Sequence, residues 1–160
     1  PFQISRLAFA ALALLALSAC ASRGPVSEGG GASSSGVAYL SQIRSSNGLS
    51  TLAYDSRLEQ AALEQSGYMA RAGSMTHTTG WRRDFATRMK ANGVEGTGAG
   101  GGAAKNTAAG PSHGEKLFEM GIISPAPRRN MLDPRFSRFG LAYVAGGKDG
   151  VRYWTLVLAR

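Results

Sequence analysis

Cysteine is nearly absent: Cys20 is the only one in 160 residues. That excludes an internal disulfide framework and any zinc finger built on cysteines. Histidine is scarce as well, with only His77 and His113. Acidic side chains number 10 against 18 Lys and Arg, a net charge of +8. Such a balance favours anionic partners: phosphate head groups, anionic envelope polymers or nucleic acid. Charged residues make up 18%, too few for a coiled coil. The longest apolar run, residues 7–19, is about a dozen residues. A helix crossing a ~30 Å hydrocarbon core needs about 20. Glycine, by contrast, is abundant at 22, so at least one stretch must be loop-like. Hydrophobic residues at 43% suffice for a core. The length fits one compact domain and excludes a multi-domain enzyme.

The apolar run follows Arg6 and ends Leu17-Ser18-Ala19-Cys20. Its length and basic flank match a signal-peptide core. Its end resembles a bacterial lipobox, in which small residues precede a cysteine that is lipidated and becomes the new N-terminus. The alternative is an ordinary secretory signal with an incidental cysteine. Removal of residues 1–19 leaves 17 basic and 10 acidic residues, a charge of +7. Residues 20–36 then read as the lipid-anchored Cys20 and a flexible tether, because Ser, Gly and Ala there bury too little surface to fold. Residues 37–160 form the expected domain.

Within that domain the spacing predicts a helix over 37–46, with Val37, Leu40 and Ile43 on one stripe. A second helix is expected over 56–72, capped by Asp55 and stopped by Gly73, and a third over 83–91. Residues 93–110 read as a long loop with one helical turn near Lys105. A short helix follows over 115–120. Ser124-Pro125-Ala126-Pro127 reads as a rigid extended turn, and residues 128–134 as a mixed turn. Residues 138–145 and 151–159 read as two strands joined by Lys148-Asp149-Gly150. Phe139, Leu141 and Tyr143 share one face of the first. The second is apolar on both faces, as a buried strand is. Helices early and a hairpin late imply an α+β fold. There is no internal repeat.

The order of these landmarks resembles the CAP superfamily of cysteine-rich secretory, antigen 5 and pathogenesis-related proteins. Leu40-Ser41-Gln42-Ile43-Arg44 with Asn47-Gly48-Leu49 looks like its opening. Leu58, Ala61-Ala62 and Met69-Ala70 fit its second helix, and Met75-Thr76-His77 fits the step that presents its first cavity histidine. Arg88 and Gly93 fit a helix end. Lys105-Asn106-Thr107-Ala108 falls where the family has Glu-Asn-Ile-Ala, and Ser124 to Leu132 where bacterial members read Ser-Pro-x-His-Arg-x-Asn-hydrophobic-Leu. Phe139-Gly140-Leu141-Ala142 and Tyr153-Trp154 fit the closing strands. The resemblance implies an α-β-α sandwich with a small antiparallel sheet of three strands. It implies a cavity built around His77, Lys105, Asn106 and Pro127. Two of its usual ligands are replaced: Lys105 stands at a Glu position and Pro127 at a His position.

Zinc needs about four donors from Cys, His, Asp and Glu. Lys105 repels a cation and Pro127 offers no side-chain donor, so no metal and no other cofactor is expected. Thr76, Thr78 and Thr79 flank His77, but adjacency is not a triad, and no Gly-x-Ser-x-Gly occurs. Gly96-Thr97-Gly98-Ala99-Gly100 lacks the Gly-Lys-Ser/Thr of a phosphate loop. The basic residues Arg82, Arg83, Arg128 and Arg129, with Trp81 beside the first pair, read either as a solvated face or as a surface for an anionic lipid or polymer. The export signal disfavours nucleic acid. The expectation is a lipid-anchored binding module on the periplasmic side of a bacterial envelope, held to the membrane through Cys20. A divergent metal-assisted hydrolase of cell wall or peptide, and a passive envelope protein, are the alternatives.

Overall fold

Residues 138–146 and 151–159 organise the molecule. In the computed structural model they form two antiparallel strands whose alternate side chains feed two separate cores. The structure describes residues 28–75, 84–94, 103–110, 114–123, 125–146 and 150–160. In chain order the elements are β1 (Glu28–Gly31), α1 (Ser33–Ser45), β2 (Ala53–Tyr54), α2 (Ser56–Ala72), α3 (Phe85–Ala91), β3 (Ala103–Ala109), α4 (Gly114–Ile123), α5 (Pro125–Met131), β4 (Arg138–Gly146) and β5 (Val151–Ala159). The sheet runs β1-β4-β5-β3, and β2 adds a two-residue parallel pairing to β4 at Arg138 and Phe139. All other pairings are antiparallel.

Alternation along β4 and β5 sets the layers. Phe139, Leu141, Trp154, Leu156 and Leu158 point to the side of α1, α4 and α5, where they meet Leu40, Phe118 and Met131. Ala142 and Val157 point to the other side, where they meet Leu58, Ala62 and Met89 of α2 and α3. The result is the expected α-β-α sandwich, with the β4–β5 hairpin central. Gly140 explains how closely α2 lies on the sheet: a Cβ there would overlap the backbone of Leu58 and Glu59. Asp55 caps α2, accepting from the Arg57 N–H at 2.9 Å, and Gly73 ends it in the left-handed conformation at φ 63°.

Four expectations are corrected. The tether does not extend to residue 36, because Glu28–Gly31 pairs with Tyr143 to Ala145 and Ala142, and α1 already begins at Ser33. Glycine lets the strand approach closely, since a Cβ on Gly29 would crowd the Tyr143 carbonyl oxygen at 3.0 Å, and the Glu59 carboxylate occupies the space beside Gly31. That carboxylate accepts from the Ser33 N–H at 3.1 Å, and the Leu141 N–H donates to Ser33 Oγ at 2.9 Å. Residues 103–109 form a strand, not a loop, because a seven-pair ladder to β5 orders a stretch whose own side chains carry no pattern. The Pro125–Pro127 stretch opens a helix instead of an extended turn. Both prolines lie in its first turn, where N–H groups lack intrahelical acceptors anyway. The sheet therefore has five strands, not three.

Val37 is also turned outward at 39% exposure. The buried stripe of α1 is Ser33, Gly36, Leu40 and Arg44. Arg44 is a structural cation, 1% exposed. Its guanidinium donates to the carbonyls of Ser50 at 2.7 Å, Met131 at 2.8 Å, Asp133 at 3.1 Å and Phe136 at 3.2 Å. It thereby joins the end of α1, the end of α5 and the approach to β4.

Candidate functional site

Strand β3 has α5 on one side and α3 on the other, and its alternation decides what each side holds. Asn106 lies opposite Leu156, on the face of α4 and α5. Its Nδ2 donates to the Pro127 carbonyl at 3.1 Å, and its Oδ1 accepts from Asn130 Nδ2 at 2.7 Å. These two bonds fix α5 across the strand. Beside them is a cavity of about 300 Å³, walled by Asn106, Ala108, Leu117, Phe118, Met131 and Leu156, with Met75 and Met120 at its exposed margin. Its volume is at the lower end of the range for small-molecule sites. Among the described residues its lining holds no carboxylate, imidazole, amine or thiol; Asn106 and Thr107 are its polar residues. Such a wall excludes water from an apolar ligand and offers one fixed amide for orientation.

Lys105 is on the opposite face, opposite Val157 and beside α3. Its Nζ sits 5.3 Å from the centre of the Phe85 ring. Burial, with the Arg88 charge adding to it, pushes the Lys105 amine down to about 8. Arg88 is itself 4% exposed. Its Nη2 donates to Gln65 Oε1, and its guanidinium lies 5.4 Å from the Tyr68 ring centre. Burial lowers the Arg88 pKa. The structure thus brings Asn106 and Pro127 together and places Lys105 in a separate, cationic cluster behind the sheet. The family resemblance groups all three with His77, and the segment's reading as a loop gives no reason to set adjacent residues on opposite faces.

Among the described residues the basic side chains do not form one flank. Arg128 borders a second groove of about 330 Å³ between α1 and α4–α5, whose floor includes Tyr39, Ile43, Phe118 and Leu132. Arg129 is exposed. Arg135 pairs with Asp133 at 2.6 Å, and Arg138 with Asp55 at 2.6 Å. Cys20, His77, Trp81, Arg82, Arg83 and His113 lie outside the described residues. Among the described residues no three of His, Cys, Asp and Glu converge as metal ligands do, and no helix is long and apolar enough to cross a membrane. Sequence reasoning missed Asn130, Phe118 and Met131 as site residues. Asn130 and Met131 carried a signal, as the Asn-hydrophobic step of the landmark at Ser124 to Leu132; Phe118 carried none.

Residues 37–158 match the profile of CAP, the cysteine-rich secretory protein family. Several solved structures share the fold. An extracellular protein with an SCP domain from Bacillus anthracis superposes with a TM-score of 0.67 at 23% identity, covering 79% of this chain and 39% of that one. An outer surface protein of Borrelia burgdorferi gives 0.64 at 14% identity, covering 78% of this chain and 88% of that one. A cysteine-rich secretory protein of Staphylococcus aureus gives 0.54 at 16% identity, covering 79% and 38%. The chain therefore spans well under half of the Bacillus and Staphylococcus proteins. No curated protein matches at the sequence level.

Proposed function

The chain belongs to the CAP family, and on that premise we propose that it is a lipid-anchored bacterial envelope protein that binds the apolar part of a lipid between β3 and the α4–α5 pair, without catalysis. The observation that carries this reading is the cavity itself. Leu117, Phe118, Met131 and Leu156 supply apolar wall, and the Asn106–Asn130 pair supplies a held amide at one side. Apolar contact then provides affinity at roughly 25 cal/mol per Å² removed from water, before the costs of ordering the ligand. The polar pair fixes which end of the ligand enters. General acid–base or nucleophilic chemistry needs titratable or activated groups at the ligand; the lining side chains among the described residues carry none, and His77 and His113 lie outside those residues. The family resemblance puts ligands of a metal-assisted hydrolase at the positions of Lys105 and Pro127, and neither side chain is a zinc donor.

Lipid anchoring is supported by Leu17 to Cys20, and an envelope location by that segment together with the extracellular and outer-surface descriptions of structurally similar proteins. Titration of the mature protein with a fluorescent C18 fatty acid tests the binding. The expected result is saturation near one molecule per chain, weakened at least tenfold by Ala108→Phe, which fills the cavity from β3. Absence of saturable binding, or binding indifferent to Ala108→Phe in a folded variant, contradicts the proposal.

A further inference from the structure

The register of the sheet shows where the anchored chain joins the domain. Glu28, the first residue of β1, lies opposite Ala145, which lies opposite Arg152. The Gly110 N–H, just past β3, donates to the Arg152 carbonyl at 2.9 Å. These residues form one row across one end of the sheet. The C-terminal end of α2 lies over the same row, because a Cβ on the neighbouring Gly146 would come 2.7 Å from the Ala70 carbonyl oxygen. Met75 follows five residues after Ala70. It is 42% exposed and belongs to the cavity wall, as does Ala109, the last residue of β3. The margin of the cavity at Met75 and Ala109 therefore lies at the end where β1 begins, and Met120 forms its other exposed margin.

Resting on the lipid-anchor reading, we infer that this end faces the bilayer, so that the cavity receives an acyl chain from the membrane that holds the protein. Only residues 21–27 separate Cys20 from Glu28. Eight Cα–Cα steps span at most roughly 28 Å, whatever their conformation. From Ala145 to Arg138, at the far end of β4, the strand rises roughly 24 Å. Contact between the far end and the bilayer would need nearly the whole link laid straight back along the sheet. The near end needs none of that length. Its surface also suits lipid. Met75 is apolar and exposed. Arg71, in the last turn of α2, is exposed and cationic, and Arg152 forms an ion pair with Glu28, the acid of the row among the described residues. Arg128 and Arg129, on α5, are not part of this end.

The test uses the full lipidated chain in phospholipid vesicles containing a nitroxide-bearing lipid. A fluorophore is placed through Met75→Cys, and separately through Arg71→Cys in case the first variant is poorly folded. Ser45→Cys, exposed at the end of α1 beside the Arg44 clamp, reports the far end. The expected result is quenching at Met75 and Arg71 at least twofold stronger than at Ser45. A twenty-residue Gly/Ser spacer between Ala21 and Ser22 should erase that difference. Equal or stronger quenching at Ser45 with lipid present on Cys20 by mass overturns the orientation alone. A preference unchanged by the spacer overturns the argument from link length. Absence of lipid on Cys20 overturns the anchor reading and the orientation with it.

Discussion

Replacement of Lys105 by Met should stabilise the domain near neutral pH, by an amount that the site's geometry bounds. The Lys105 amine is held at about 8, against 10.5 for an ordinary lysine, first by burial and then by the Arg88 charge. That difference corresponds to roughly 3.4 kcal/mol if solvent screened nothing. Solvent reaches part of the side chain, so the cost is discounted to about 1–2 kcal/mol. The sign follows from proton binding. Below pH 8 both folded and unfolded chains carry the charge, and the full cost is present. Between 8 and 10.5 the unfolded chain holds the proton and the folded chain has lost it, so stability rises with pH. Above 10.5 neither is charged and the cost is gone. Lys105→Met, whose unbranched side chain can pack on Phe85, should therefore be about 1–2 kcal/mol more stable at pH 7, a gain of several degrees in Tm. Its advantage should vanish by pH 11. Urea unfolding of both proteins from pH 7 to 11 measures this. An advantage independent of pH, or a less stable variant at pH 7, would refute the placement of Lys105 between Phe85 and Arg88.

Arg44→Met should destabilise the fold by about 3–5 kcal/mol, because four carbonyls lose a buried charged donor; denaturant unfolding measures it. Asp55 is held down to about 2, chiefly by the Arg57 hydrogen bond and with help from Arg138. Its contribution is present above pH 3.8 and disappears as pH falls towards 2, so Asp55→Asn should cost about 1–2 kcal/mol at pH 7 and little at pH 2. Asn130→Leu removes the donor to Asn106 Oδ1 and should weaken fatty-acid binding several-fold while lowering Tm by only a few degrees, read by titration and thermal melting.

The central layer was legible because β4 and β5 alternate large apolar residues at period two, and α2 repeats its buried residues at helical spacing between Asp55 and Gly73. The edges were not. Glu28–Gly31 and Ala103–Ala109 have side chains too small to show which face is buried. Their order comes from ladders to strands more than forty residues away. The Pro125–Pro127 pair marks an extended turn by local preference, and the first turn of α5 accommodates it. At the site, Asn106 and Pro127 emerged from the order of family landmarks. The separation of Lys105 from them required knowing that the segment is a strand, since only then do adjacent residues face opposite layers. Phe118 resembles any other core residue until β3 and α5 are placed.

The central claim is that the cavity beside Asn106 holds the apolar part of one lipid. Native mass spectrometry of the protein purified without denaturation from its own cells, with the covalent anchor removed by Cys20→Ala, tests it most directly. The account predicts a retained lipid at one per chain in the Cys20→Ala protein and its loss when Ala108→Phe is added to a variant that remains folded. A protein without bound lipid, or equal retention with the cavity filled, would contradict it.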